Sequence, residues 1–267
     1  MAHRGASATQ AEHTLAAYMQ ALRDGADALE CDVRLTADQH LVCVHDRRLE
    51  RTSNGKGVLS TLPLGELEQL DFASWKKPWS DLDDEAEDVE SDTRSILTLD
   101  RLCAMVADWG RPVEIAIETK HPTRYAGVVE RRLVETLHRF GWAHPPAGKL
   151  APVRVMSFSW LSIRRIQDLA PSTRTVFLME RIPLRFRDGS LPMGVAIAGP
   201  SIEVVRAHPN YVSRVHGHGS SVHVWTVNDR PDIALCADLG VEAIITDRPG
   251  PALRQLSAGQ NGRGSGD

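Results

Sequence analysis

The chain has 267 residues, of which 42% are hydrophobic and 25% charged, the balance of an ordinary globular protein and one that excludes collagen-like, disordered and disulfide-stapled organisation. Its 31 Lys and Arg against 35 Asp and Glu give a formal net charge of -4. No global basic field therefore draws it to nucleic acid or an anionic membrane, and an anionic substrate must be met by local charges.

No run approaches the roughly 18 consecutive apolar residues of a transmembrane segment, and Met1 is followed directly by Ala-His-Arg-Gly rather than by a signal-peptide core, which points to the cytoplasm. Cys31, Cys43, Cys103 and Cys236 show no CxxC spacing and have apolar neighbours. That favours buried, reduced thiols over a disulfide or zinc framework.

In chain order, Ala2 to Arg4 is a short candidate strand. Thr14 is placed to cap a helix in which Leu15, Tyr18, Met19 and Leu22 recur at helical spacing before Gly25 ends it. Leu29 to Leu35 and Leu41 to His45 follow, both expected as parallel strands. From Asp46 to Leu97 no strand is evident, only a polar stretch, a Leu-rich patch from Leu59 to Leu70 and an acidic run from Asp81 to Asp92. At about 50 residues this is too long for a connection and reads as an insertion, with Trp75 and Trp79 as its own core in preference to a substrate lip and the acidic run as a solvated loop.

Strand signals resume at Val113 to Lys120, Val153 to Phe158 and Thr175 to Met179. The stretch from Arg181 to Gly219, broken by Pro183, Pro192, Pro200 and Pro209, carries no assignment. Val222 to Val227 and Ala243 to Thr246 are the last strands, joined by a helix with Asn228 or Asp229 as cap, Pro231 at its start and Gly240 at its end. Ser257 to Asp267 is polar and glycine-rich and is expected to be disordered. Eight strand candidates with helical crossovers give an α/β fold with a parallel sheet, and favour a closed barrel over an open doubly wound sheet.

Charged residues in such strands are anomalous, because parallel strands are normally apolar on both faces. Glu30 and Asp32 share one face of a strand, as do Glu118 and Lys120, because side chains alternate along it. His45 ends another strand, and His3 with Arg4 ends the first. In one barrel all of these converge at the carboxyl-terminal mouth, where barrel active sites are built. Two carboxylates about 5 Å apart repel by roughly 3 kcal/mol at an effective dielectric near 20, so three need protons or a cation. Oxygen ligands suit Mg2+ or Ca2+ better than zinc. The competing reading is a buried salt-bridge network of Glu30 and Asp32 with Arg34 or Lys120. A metal, two histidines and two cations fit metal-assisted phosphoester cleavage.

The stretches His3-Arg4-Gly5, Ala11-Glu12-His13-Thr14, Gly25-Ala26-Asp27, Leu29-Glu30-Cys31-Asp32-Val33 and His45-Asp46, then Glu118-Thr119-Lys120, Ser157-Phe158, Val224-Trp225-Thr226-Val227-Asn228 and Thr246-Asp247-Arg248-Pro249, occur in this order. Together they resemble the motifs of the glycerophosphodiester phosphodiesterases, from residue 2 to about 250. The resemblance implies a (β/α)8 barrel of the triosephosphate-isomerase (TIM) type with a small insertion after the third strand. Residues 1–256 would form one domain, with the insertion at about 46–97, and 257–267 a tail.

By motif position it implies Glu30, Asp32 and Glu118 as ligands of a divalent cation, His3 and His45 as general acid and base, Arg4 and Lys120 on the phosphate, and Trp225 against the substrate. The reaction implied is hydrolysis of a small-molecule glycerophosphodiester to glycerol 3-phosphate and an alcohol, through a cyclic phosphate. Two alternatives remain open: lysophospholipase D or sphingomyelinase D-like action on lysolipids, and a non-catalytic phosphodiester-binding barrel. The usual Pro-Glu-Asn-Thr is Ala11-Glu12-His13-Thr14 here, a local change in the loop above the metal to which no role is assigned. Oligomeric state is not encoded in these patterns.

Overall fold

In the computed structural model, residues 1–76, 94–121, 123, 125, 127–146 and 148–263 are described; Trp79 and the acidic run lie outside them. Eight parallel strands make the barrel: β1 (Ala2–His3), β2 (Ala28–Leu35), β4 (Glu114–Thr119), β5 (Val153–Ser157), β6 (Arg174–Met179), β7 (Ile197–Pro200), β8 (Ser221–Val224) and β9 (Ala243–Ile244). Ala2 bridges Thr246, whose N–H donates to Met1 O at 3.1 Å and whose carbonyl accepts from His3 N at 2.9 Å, so the first and last strands meet. Helices α1 (Leu15–Arg23), α3 (Leu99–Asp108), α4 (Val128–Arg139), α5 (Trp160–Leu169), α6 (Ile202–Ala207), α7 (Asn210–Gly217), α8 (Arg230–Asp238) and α9 (Pro249–Arg263) accompany the strands. The insertion contributes the single turn α2 (Leu64–Leu67).

Local chemistry explains the helix starts. Thr14 caps α1, its hydroxyl accepting from Ala17 N, and Thr98, Ser159 and Ser201 do the same for α3, α5 and α6. Pro231 opens α8, and Gly240 beyond its end takes φ 72°. Helix α9 runs through Ser257 to Arg263, past the point at which order was expected to end, and residues 264–267 lie outside the described residues.

Alternation along the strands sorts the core into two layers. Leu29, Cys31, Val33, Ile115, Ile117, Val153 and Val155 face outward and pack with α1, α3 and α4. Phe177, Met179, Ala198, Val222 and Val224 do the same in the other half of the chain. Inside the barrel Ala116, Met156, Val176, Leu178, Ile197 and Ile245 form an apolar belt. The alternate residues Glu30, Asp32 and Glu118 lie buried above it. All four cysteines are free and buried.

Two strand expectations are corrected. Leu41 to His45 is no parallel barrel strand: β3 (Leu41–Cys43) runs antiparallel to β2, with Val33 opposite Cys43 and Leu35 opposite Leu41. The five residues between them fit a hairpin, whereas a parallel crossover needs about a dozen or more. β3 takes the edge of β2 that the two-residue β1 leaves free, since Arg4 N bonds Glu30 O and Val44 N bonds Asp32 O along the same edge. The eighth barrel strand is β7, inside the proline-broken stretch left unassigned. Its sequence Ile-Ala-Gly-Pro is too short for a periodic signal. The insertion follows β3 and has its own small core of Val42, Val44, Leu49, Leu59, Leu67, Phe72 and Ile96.

Candidate active site

Strand register assembles the site. His3 lies opposite Glu30 in the β1–β2 pair, and Asp32 opposite Glu118 in the β2–β4 pair. The hairpin carries His45 back over the mouth. A cavity of about 150 Å3 is lined by His3, Arg4, Glu30, His45, Glu118, Lys120, Phe158 and Trp225 among others. All eight residues singled out in the sequence therefore meet at one end of the barrel, although Asp32 lies beneath the cavity surface.

Both imidazoles are held in the same manner. Nδ1 of His3 lies 2.6 Å from Asp247 Oδ1, and Nδ1 of His45 lies 2.6 Å from Asp46 Oδ1. A carboxylate at Nδ1 fixes the ring and leaves Nε2 to exchange a proton with a ligand. Asp247 is braced by Ser7 Oγ at 2.9 Å and Asn228 Nδ2 at 2.6 Å. Asp46 accepts from Arg51 Nε at 2.5 Å, and Arg51 grips both oxygens of Glu12 at 2.7 Å. Glu12 in turn accepts from Arg4 Nη1 at 3.0 Å. Burial pushes the Asp46 and Glu12 carboxyls up, but the Arg51 hydrogen bonds outweigh it, so each sits at about 2. Burial lowers His45, and the nearby Arg4 and Lys120 charges add to that effect.

None of these supporting residues was assigned a role from the sequence. The Asp46 neighbour of His45 was in view, but that it turns back onto the ring is not. Asp247 reaches His3 only because the barrel closes.

The three interior carboxylates offer oxygens within 4.8 Å of one another. Lys120 Nζ stands 2.8 Å from Glu118 Oε1 and 3.3 Å from Asp32 Oδ1, and Arg4 Nε 3.1 Å from Asp32 Oδ2. Of the network weighed as an alternative, the Lys120 pair is present, while Arg34 turns away and donates from Nε to His45 O at 2.8 Å. Burial raises Asp32, yet its hydrogen bond to His13 and the Lys120 and Arg4 charges hold it well below the usual range. Burial and the Asp32 charge drive Glu30 well above its usual value and Glu118 up to about 8. Two buried carboxyls pushed toward the protonated form beside an ionised third are a site short of positive charge. The all-oxygen donor set fits a hard divalent cation, which Glu30, Asp32 and Glu118 could hold.

The opposite wall is aromatic. Trp225 anchors its Nε1 on Gly199 O at 2.8 Å and meets Phe158 edge to face, with centroids 5.4 Å apart. The turn at Arg4 needs glycine behind it. Gly5 has φ +86°, and a Cβ there would lie 2.6 Å from the Ala17 carbonyl carbon of α1.

The profile of the Glycerophosphoryl diester phosphodiesterase family matches residues 3–251. A probable glycerophosphodiester phosphodiesterase 1 of Mycobacterium tuberculosis is 44% identical over 260 residues, 97% of this chain and 93% of its own. A glycerophosphodiester phosphodiesterase of Bacillus subtilis is 30% identical over 259 residues, 93% and 83% of the two chains. Among solved structures, an Oleispira antarctica phosphodiesterase in complex with the product sn-glycerol-3-phosphate superposes with a TM-score of 0.79 at 26% identity, covering 96% of this chain and 95% of its own. With the barrel and the mouth described above, these matches show that the chain is an enzyme of the glycerophosphoryl diester phosphodiesterase family, a TIM-barrel hydrolase of glycerophosphodiesters.

Proposed function

We propose that the chain hydrolyses small glycerophosphodiesters to glycerol 3-phosphate and an alcohol, using a divalent cation, Mg2+ or Ca2+, with Glu30, Asp32 and Glu118 as its ligands and His3 and His45 as the proton-transfer pair. The observation that carries this reading is the matched pair of His–Asp dyads, His3 with Asp247 and His45 with Asp46, beside three buried carboxylates. When bound, the cation supplies positive charge against the nonbridging phosphoryl oxygens.

The chain's own groups do the rest. Lys120 and Arg4 draw the phosphate to the mouth, each already fixed by a carboxylate. The Trp225 and Phe158 rings cover the glycerol and exclude water from its carbons. Nε2 of one histidine accepts the proton of the substrate's neighbouring hydroxyl as its oxygen bonds to phosphorus. Nε2 of the other gives a proton to the departing alkoxide as its bond to phosphorus breaks. A cyclic phosphate results, which water opens with the proton movements reversed.

We read residues 1–256 as one catalytic domain. The buried, reduced cysteines suit a reducing compartment, and we infer the cytoplasm. No helix among the described residues is long and apolar enough to cross a membrane.

Turnover of glycerophosphocholine by chelator-treated protein is expected only when Mg2+ or Ca2+ is restored, and His45→Ala is expected to reduce it by about 100-fold or more. Activity within about threefold of wild type in that variant would remove the acid-base assignment.

A further inference from the structure

A second cavity adjoins the mouth, with a volume of about 170 Å3, and is lined by Arg34, Arg47, Lys120, Ser60, Tyr125 and Val129 among others. Lys120 also lines the cavity that contains the two histidines. Lys120, which the reading above places on the phosphate, is thus the side chain the two spaces share. On one side of it are Phe158 and Trp225; on the other are two guanidinium groups.

Neither guanidinium is engaged in an ion pair among the described residues. Arg34 follows Asp32 by two residues on the same face of β2, and among the described residues its side chain makes one hydrogen bond, from Nε to the His45 carbonyl. Its two terminal nitrogens, and the whole Arg47 side chain, have no carboxylate or hydrogen-bond partner among the described residues. Two like charges facing one partly apolar concavity, floored by Leu35, Leu59 and Val129, are stabilised by an anion between them. Guanidinium forks match a carboxylate or phosphate with paired hydrogen bonds. A trimethylammonium or ammonium headgroup would gain no such paired hydrogen bonds there and would face the two like charges.

We propose that this cavity is the subsite for the leaving alcohol, and that it selects alcohols bearing an anionic group, a carboxylate or a phosphomonoester. The proposal rests on the hydrolysis reading above, because it is the diester bound at Lys120 whose second arm enters the cavity.

The test compares kcat/KM for pairs of esters that differ by one anionic group: glycerophosphoserine against glycerophosphoethanolamine, and glycerophosphoinositol 4-phosphate against glycerophosphoinositol. The anionic member is expected to win by about tenfold in at least one pair, chiefly through KM, the worth of one charge-assisted hydrogen-bond pair. The pair with the larger ratio tells whether carboxylate or phosphate is the favoured group. In Arg34→Gln/Arg47→Gln that ratio is expected to fall to about one. Arg47→Gln alone, at an exposed side chain, is expected to lower it at least twofold, so the result does not depend on the double variant folding.

Ratios at or below one in both pairs, with the ethanolamine ester still cleaved, would overturn the subsite and leave the hydrolysis standing. An unchanged ratio in Arg47→Gln would also overturn it. Cleavage of none of the four esters would overturn both.

Discussion

His13 stands in a left-handed turn, φ 61°, with its ring buried. Nε2 lies 2.9 Å from Asp32 Oδ2 and Nδ1 2.8 Å from the Tyr18 hydroxyl. Burial pushes its pKa down although the Asp32 hydrogen bond and charge pull it up, so the ring is a neutral donor to Asp32, while the Tyr18 hydroxyl also reaches the Glu30 carbonyl at 3.2 Å. His13→Ala removes the donor from a buried carboxylate and should cost about 1–3 kcal/mol of stability. Asn tolerates the left-handed turn and keeps an N–H, so His13→Asn should cost less than half as much in urea unfolding. Equal losses would mean that the donor is not used. The sequence showed His13 as a departure from the family pattern and nothing more, because its partner lies on β2 and the contact depends on backbone handedness that no periodicity records. The carboxylates and the two catalytic candidates were legible for the opposite reason. A charged residue inside an otherwise apolar strand is an anomaly in one dimension.

At the scale of elements, the hairpin and the seam between β9 and β1 decide where the histidines stand. Strand alternation told which side chains of β2 and β4 point inward, but not that β3 folds back, because a run of three apolar residues reads alike in either direction. The same limit hid β7. The seam is held by main-chain bonds between Thr246 and residues Met1 and His3, and by Asp247, which accepts from His3, Ser7 and Asn228. Burial raises Asp247, but the His3 hydrogen bond and charge hold it far below the usual carboxylate value. Its folded pKa is depressed, so its contribution is complete above the unfolded pKa of about 4 and is lost as pH falls further. Asp247→Asn should therefore destabilise by about 1–3 kcal/mol at pH 6. Chemical denaturation should show that gap narrowing between pH 4 and pH 2.5, and a gap constant with pH would mean that Asp247 does not tie the seam.

At the scale of the whole molecule, the barrel interior is stacked in three levels. Arg154 and His223 are buried at the amino-terminal end, where burial lowers both below their ordinary values. The apolar belt of Met156, Val176, Leu178 and Ile245 lies above them. Glu30, Asp32 and Glu118 close the other end at 7% exposure or less. Buried carboxylates with too little neighbouring positive charge oppose folding, so a cation that binds them only in the assembled barrel must stabilise the entire fold. At a concentration 100 times its dissociation constant, one such ion contributes about 2.7 kcal/mol. For a chain of this size that is a rise in Tm of roughly 5–10 °C. Chelator-treated protein should show this rise by calorimetry on adding Mg2+ or Ca2+, and Asp32→Asn should show little of it. Equal shifts in both proteins would place the cation elsewhere. No shift in wild type at millimolar ion would leave Lys120 and Arg4 as the cations paired with these carboxylates among the described residues, and the mouth would then draw its phosphate with side chains and no metal.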